Sequence, residues 1–130
     1  MQGMDVLPTS WRRQRGDQAE QAAESWLNRQ GLITVARNWQ CRMGEIDLIM
    51  REEDILVFVE VRFRSSQQHG GAAGSVDPRK QRRLVAAARH YLRLRPEAAQ
   101  YRCRFDVIAA TPTDNGGYDM NWIAGAFYAE

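Results

Sequence analysis

Cysteine and histidine are scarce in this chain, with only Cys41, Cys103, His69 and His90 among 130 residues. No Cys-x-x-Cys pair occurs, so the spacing gives little support to a structural zinc site and leaves two reduced thiols as the expected state. Long apolar runs are missing as well. Nothing approaches the ~20 residues needed to span a bilayer, and the N-terminus has no apolar signal-peptide core. These absences set the expectation of a cytoplasmic protein with no membrane partner. Excess charge of one sign is also lacking: a net charge of +2 does not by itself point to an anionic partner, so where the charges sit matters more than their total. There is no internal repeat and no low-complexity tract. What is present, 44% hydrophobic and 26% charged residues, suffices for one domain with a buried core.

The most informative stretch runs from Gly44 to Arg64, where acids interrupt two runs that otherwise read as buried strands. Burying an unpaired carboxylate costs several kcal/mol, so such positions usually hold a metal or a charged partner. By the two-residue period of a strand, Glu45 and Asp47 share one face, opposite Ile46, Leu48 and Met50. Glu60 and Arg62 share one face of the next strand, opposite Val57, Val59, Val61 and Phe63. A turn around Glu52 to Asp54 brings the two acidic faces together.

Residues 1–15 mix Gly, Pro, Thr and Ser with Trp11-Arg12-Arg13-Gln14-Arg15 and are expected to form a flexible basic arm ahead of a domain over 16–130. Asp17 reads as the cap of a first helix, with Ala19, Ala22, Ala23, Trp26, Leu27 and Gln30 on one stripe and Gly31 as its stop. Strands follow over 32–39, 45–51 and 55–64, then a flexible loop over 65–76. Asp77-Pro78 opens a second helix, whose apolar stripe is Leu84, Ala87, Ala88, Tyr91 and Leu92, and Pro96 ends it. Arg79, Arg82, Arg89 and Arg93 fall on its outer side at 100° per residue. Strands over 101–110 and 118–127 complete the order, which predicts an α/β fold: one mixed sheet flanked by helices, with a crossover after the third strand.

Magnesium and manganese favour hard oxygen ligands, commonly one or two carboxylates completed by water and substrate phosphate. Adjacent strands lie about 4.8 Å apart, so Asp47 and Glu60 can reach one ion with bonds of roughly 2.1 Å, and the Val61 carbonyl can add a further ligand. Glu20 lies on the border of the first helix's buried stripe, whereas Glu24 is expected to point into solvent. Lys80 stands one turn before Leu84 and aims inward, near these acids. Each residue also has a plainer reading. Glu60 and Arg62 can be a charge pair on a half-exposed face. Glu20 can be a solvated helix acid, Lys80 can snorkel along apolar surface, and the outer arginines can be a solvated face.

Gly44-Glu45-Ile46-Asp47-Leu48-Ile49, Val57-Phe58-Val59-Glu60-Val61-Arg62, Pro78-Arg79-Lys80-Gln81 and Arg104-Phe105-Asp106-Val107 together resemble the bacterial YraN-like family of uncharacterised proteins, over about Gly16 to Phe127. That family is similar to the Holliday-junction-resolvase branch of the PD-(D/E)xK restriction-endonuclease-like superfamily. The resemblance implies an αβββαβ core and a magnesium- or manganese-dependent endonuclease, a hydrolase of phosphodiester bonds in branched DNA. It implies Asp47 as the D, Glu60 as the (D/E), Arg62 at the lysine position and Glu20 as the extra helix acid. Ile46 replaces the motif's proline, and Arg62 replaces its lysine. Because a guanidinium stays charged and cannot serve as a base, Lys80 is the candidate for the missing ammonium. The expected catalytic set is therefore Asp47, Glu60, Arg62 and Lys80, and the metal set Glu20, Asp47, Glu60 and Val61. Arg79, Arg82 and Arg89 are expected to contact nucleic acid. The alternative is an inactive nucleic-acid-binding or protein-interaction module on a nuclease scaffold. DNA versus RNA and a homodimer versus a monomer are left open by the sequence.

Overall fold

The computed structural model describes residues 3–64 and 76–129, with side chains from residue 16 onward. Helix α1 (Gly3–Arg29) leads into three strands, β1 (Ile33–Cys41), β2 (Gly44–Glu52) and β3 (Ile55–Phe63). Helix α2 (Pro78–Leu94) and a short 3-10 turn (Pro96–Gln100) precede β4 (Arg102–Pro112) and β5 (Tyr118–Phe127). The expected α/β architecture is what is observed: a five-stranded sheet in the order β1-β2-β3-β4-β5 with helices on both faces. Every neighbouring pair is antiparallel except β3 and β4, which run parallel. A parallel pair cannot be closed by a tight turn, so the chain must cross over between them, and α2 is that crossover. Among the described residues no helix is long and apolar enough to cross a membrane.

Strand alternation divides the core into two layers. Leu56 and Phe58 join Ile49, Val107 and the α2 residues Leu84, Ala87, Ala88 and Tyr91, while Val57 and Val59 join Leu48, Met50, Ile108 and the α1 residues Ala23 and Leu27. At about 25 cal/mol per Å² of apolar surface, these two layers supply the main favourable term in folding. Aromatic edges lock each layer: Trp26 meets Trp122 edge-on with centroids 5.9 Å apart on the α1 side, and Phe58, Phe105 and Phe127 stack in sequence on the α2 side.

Several expectations need correction. Helix α1 begins at Gly3 rather than Asp17, so the backbone of residues 3–15 is helical. From Thr9 to Asn28 the only poor helix former of consequence is Gly16, whose cost of about 1 kcal/mol a long helix tolerates. Gln30 is exposed and lies beyond the buried stripe. Strand β1 spans Ile33–Cys41, one residue later at its start and two later at its end than expected. Ile46 does not pack with Leu48 and Met50: it joins the α2 layer, while they lie in the α1 layer. The expected loop over 65–76 lies outside the described residues except for Val76, which is buried under α2.

The end of the sheet is held by Asp106, 1% exposed yet fully partnered. Its carboxylate accepts Nε and Nη2 of Arg104, Nε1 of Trp122 and the backbone N–H of Gly125. Gly125 has φ of +65°, in a stretch where β5 carries extra residues against Phe105 to Val107, so the carboxylate satisfies an N–H that the bulge removes from the ladder. Arg104 also reaches Glu52 at 2.8 Å, tying β4 to the β2–β3 turn. Asp106→Ala should therefore lower stability by about 3–5 kcal/mol, since it strands the Trp122 and Gly125 donors and leaves the part-buried Arg104 with Glu52 alone. Asp54→Ala, which removes only an exposed 3.8 Å pair with Arg102, should leave the urea midpoint unchanged. Equal midpoints for both variants would contradict this assignment.

Candidate functional site

The site begins where two strands stop pairing. β2 pairs with β1 as far as Gly44, but its pairing with β3 ends at Leu48 opposite Val59. One residue further the Asp47 side chain enters the gap, and its Oδ2 accepts the Val61 N–H at 2.8 Å. A side-chain oxygen has taken the place of a ladder carbonyl, so the strands splay without leaving that buried donor unsatisfied. Asp47 lines that opening together with Glu60, next to Ile46 in the α2 layer.

Glu60 follows Leu56 and Phe58 on the α2-facing side of β3 and is 5% exposed. Lys80 Nζ meets its Oε2 at 2.8 Å. A snorkelling lysine would keep its ammonium in water; the Lys80 side chain is about half exposed, yet its ammonium reaches the buried acid, as the inward reading expects. Its position depends on the helix start: Asp77 Oδ1 accepts the N–H groups of Arg79 and Lys80 at 2.8 and 3.2 Å, with Pro78 as the first helical residue. Lys80 is also the sole lysine, since the 18 basic residues are otherwise arginines.

Two cavities adjoin at Glu60 and Lys80. One, of about 180 Å³, is lined by Glu45, Asp47 and Arg83 beside that pair; the other, of about 310 Å³, by Arg62, Val61 and Asp77. Arg62 lines the second cavity together with Glu60. Arg83 was not anticipated, although its position three residues after Lys80 puts it on the same flank of α2. Arg79, Arg82 and Arg89 are exposed on the outer side of the helix.

Glu20 is half-buried on α1 and accepts Asn38 Nδ2 at 2.8 Å, and the same amide reaches Glu45 at 3.3 Å. Asn38 has φ of +48°, a conformation that asparagine tolerates better than most residues and that no sequence period signals. Glu24 corrects the solvent-facing expectation: it is 8% exposed and binds Arg37 Nε at 2.8 Å and Thr34 Oγ1 at 2.6 Å. Burial acts to raise its pKa, but those hydrogen bonds outweigh it and hold the carboxyl below its ordinary value. Glu24 therefore braces β1 against α1.

Asp47 has the opposite balance. Burial first, and then the charge of Glu60, push its carboxyl well above the ordinary value; the Val61 N–H opposes them, and Glu20 and Glu45 add to the rise. Glu20 is raised as well, again chiefly by burial, which the Asn38 hydrogen bond only partly offsets. Among the described residues no three Asp, Glu, His or Cys side chains converge into a formed metal cage. The donor set nonetheless suits a hard divalent cation: Asp47 and Glu60 line one opening, and a magnesium ion ordinarily needs only one or two carboxylates alongside water. Glu20, held by Asn38, already lies close enough to Asp47 for the two carboxyls to interact.

Residues 19–110 match the family described as Uncharacterised protein family UPF0102. The chain belongs to that family. Similar proteins of it, each called UPF0102 protein, occur in Alcanivorax borkumensis (50% identical, covering 88% of this chain and 92% of the relative) and in Aeromonas hydrophila (53% identical, covering 87% and 84%). Another in Pseudomonas savastanoi is 46% identical, covering 93% of this chain and 98% of the relative. The UPF0102 match agrees with the resemblance to an uncharacterised bacterial family, and it spans every candidate residue from Glu20 to Arg89.

Because Asp47 holds its proton more readily in the folded chain than in the unfolded one, its contribution to stability is complete below the ordinary value of 3.8 and is lost as pH rises through the raised value. Glu24 and Asp77 are shifted the other way and act in the opposite sense, so the informative quantity is a difference between two proteins. In metal-free buffer, the thermal midpoint of Asp47→Asn relative to the parent should rise steadily from acid to neutral pH. Parallel curves would mean that Asp47 titrates normally.

Proposed function

We propose that this UPF0102 protein is a magnesium- or manganese-dependent endonuclease of the PD-(D/E)xK, restriction-endonuclease-like type. Its substrate on this reading is nucleic acid, with branched DNA of the kind cut by Holliday-junction resolvases as the first to try, and its place of action the cytoplasm. The observation that carries the reading is the opened end of the β2–β3 pair, which holds Asp47 and Glu60 beside one cavity with a lysine tip at its edge.

A bound magnesium or manganese ion supplies an acidified water and offsets charge on a phosphodiester oxygen. Asp47 and Glu60 would hold it, with the Val61 carbonyl and Glu20 as further donors. Arg62 keeps its charge at any working pH, so its role is to clamp a phosphate and not to take a proton. Lys80 supplies the ammonium that the motif usually carries on the strand, and its hydrogen bond to Glu60 holds that ammonium against the cavity wall. Arg79, Arg82 and Arg89 give the exposed face of α2 a charge that suits phosphate groups.

A second reading, a nucleic-acid-binding module without hydrolysis, is favoured by one observation: Arg62 stands where the motif has lysine, and the only ammonium is already paired with Glu60. Metal and chemistry are separable by experiment. Manganese or magnesium should raise the thermal midpoint of the parent, and Asp47→Ala or Glu60→Ala should abolish the rise, because only the folded site binds the ion. An undiminished rise in both variants would remove the metal site.

Cleavage of branched and linear substrates at saturating metal tests the chemistry. Lys80→Ala should slow the reaction roughly 100-fold, as loss of one positioned electrostatic group commonly does, while Arg62→Lys preserves or raises the rate. Salt-dependent binding with no cleavage by the parent would instead establish the second reading, and an Arg62→Lys variant without activity beside a fully active Lys80→Ala would make Arg62 the catalytic cation.

A further inference from the structure

Helix α2 has a second groove on the flank away from Asp47 and Glu60. Lys80 and Arg83 point to the carboxylate side, whereas Arg82, Val85, Ala86 and Arg89 lie on the outer side together with Pro78. At 100° per residue, Arg82 and Arg89 fall within about 20° of each other on the helix surface, two turns apart. The chain returns to this flank after β5, where Tyr128 forms the far wall of a cavity of about 480 Å³. Tyr128 is 79% exposed, the most exposed of the large hydrophobic side chains described.

The composition of this groove is informative. Among its described lining residues there is no carboxylate, in contrast to the two cavities beside Glu60, each of which has at least two. Neither Arg82 nor Arg89 forms an ion pair with an acid among the described residues. Two arginines thus line one groove with Val85, Ala86, Gln81 and an exposed aromatic residue. An aromatic face takes any base by stacking, and guanidinium groups take the phosphates on either side of it. An apolar protein surface would not need the two charges, and a duplex read only through its phosphates would not need the ring.

We propose that the groove between the outer flank of α2 and Tyr128 is a binding site for an unpaired nucleotide within a nucleic-acid strand, its base stacked on Tyr128 and its phosphates held by Arg82 and Arg89. The inference rests on the nucleic-acid reading above and adds to it a substrate feature, a single-stranded segment next to the cleaved bond. The two sites lie on opposite flanks of α2, and a helix is about 10–12 Å across, a span that one strand can cover.

The test measures binding of the full chain to a labelled single strand about 10 nucleotides long and to a blunt duplex, each made as DNA and as RNA. Tyr128→Ala should weaken single-strand binding about tenfold and leave duplex binding unchanged, and Tyr128→Phe should restore the loss because it keeps the ring. Tyr128 is so exposed that its replacement should not alter the thermal midpoint, which is checked alongside. The double variant Arg82→Gln/Arg89→Gln should weaken both ligands and flatten the salt dependence. If Tyr128→Ala binds single strands as the parent does while the arginine variant is still impaired, the base site is refuted and the nucleic-acid reading survives. If the parent binds neither ligand and no four-way junction either, both fall together. Adenosine monophosphate that displaced the strand at concentrations near the strand's own would overturn the assignment to a strand and make the groove a site for free nucleotides.

Discussion

One hydrogen bond, from the Val61 N–H to the Asp47 carboxylate, governs the functional end of the sheet. In an unbroken hairpin that donor would meet a carbonyl of β2, and the strands would stay about 4.8 Å apart with their side chains committed to the two faces. By accepting the N–H with its side chain, Asp47 lets the strands part without an orphaned donor, and the opening becomes a polar recess in an otherwise apolar sheet. The cost is visible in the same residue, whose charge is disfavoured by burial and by Glu60. Folding thus holds in place an acid whose charged form the surrounding protein does not compensate.

The parallel pairing of β3 with β4 sets the other half of the arrangement. It forces a crossover, and the crossover brings the first turn of α2 to the open end of β3, where Asp77 and Pro78 fix its start. One flank of the helix then meets the carboxylates through Lys80 and Arg83, and the opposite flank faces Tyr128. Meanwhile the Asp106 network at the β4–β5 end is saturated with donors. Two acids of the same sheet, one buried and the other half-buried, therefore have different fates. Asp106 is satisfied by guanidinium, indole and backbone and serves the architecture, whereas Asp47 has one backbone donor and acidic neighbours.

Much of this was legible in the residues. Period-two alternation in Ile55 to Phe63 placed Glu60 and Arg62 together, and the Asp77-Pro78 cap placed Lys80 at the helix start, because both signals are local and carry their own geometry. The errors arose where tertiary contacts decide. Glu24 looked solvated by its type and helical phase, yet Arg37 and Thr34 on β1 cover it, and nothing in α1 announces that strand. Strict alternation puts Ile46 with Leu48 and Met50, and it fails where β2 parts from β3. The early start of α1 is not legible because residues 3–15 have no apolar period and include Pro8, a residue that costs a helix interior about 3 kcal/mol. Asp106 lay within a quoted motif, but its partners Trp122 and Gly125 are 16 and 19 residues away, beyond any local pattern.

The chain carries its positive charge almost wholly on guanidinium groups, so Lys80 is its one side-chain primary amine. Amine-selective chemistry therefore has a single side-chain address in this molecule, seated at 2.8 Å from Glu60. Reductive methylation with an isotopically labelled carbon places one resonance there, and its shift reports directly on the charge and occupancy of the neighbouring carboxylates. The protein comes with an intrinsic spectroscopic probe at the point where its chemistry would be watched.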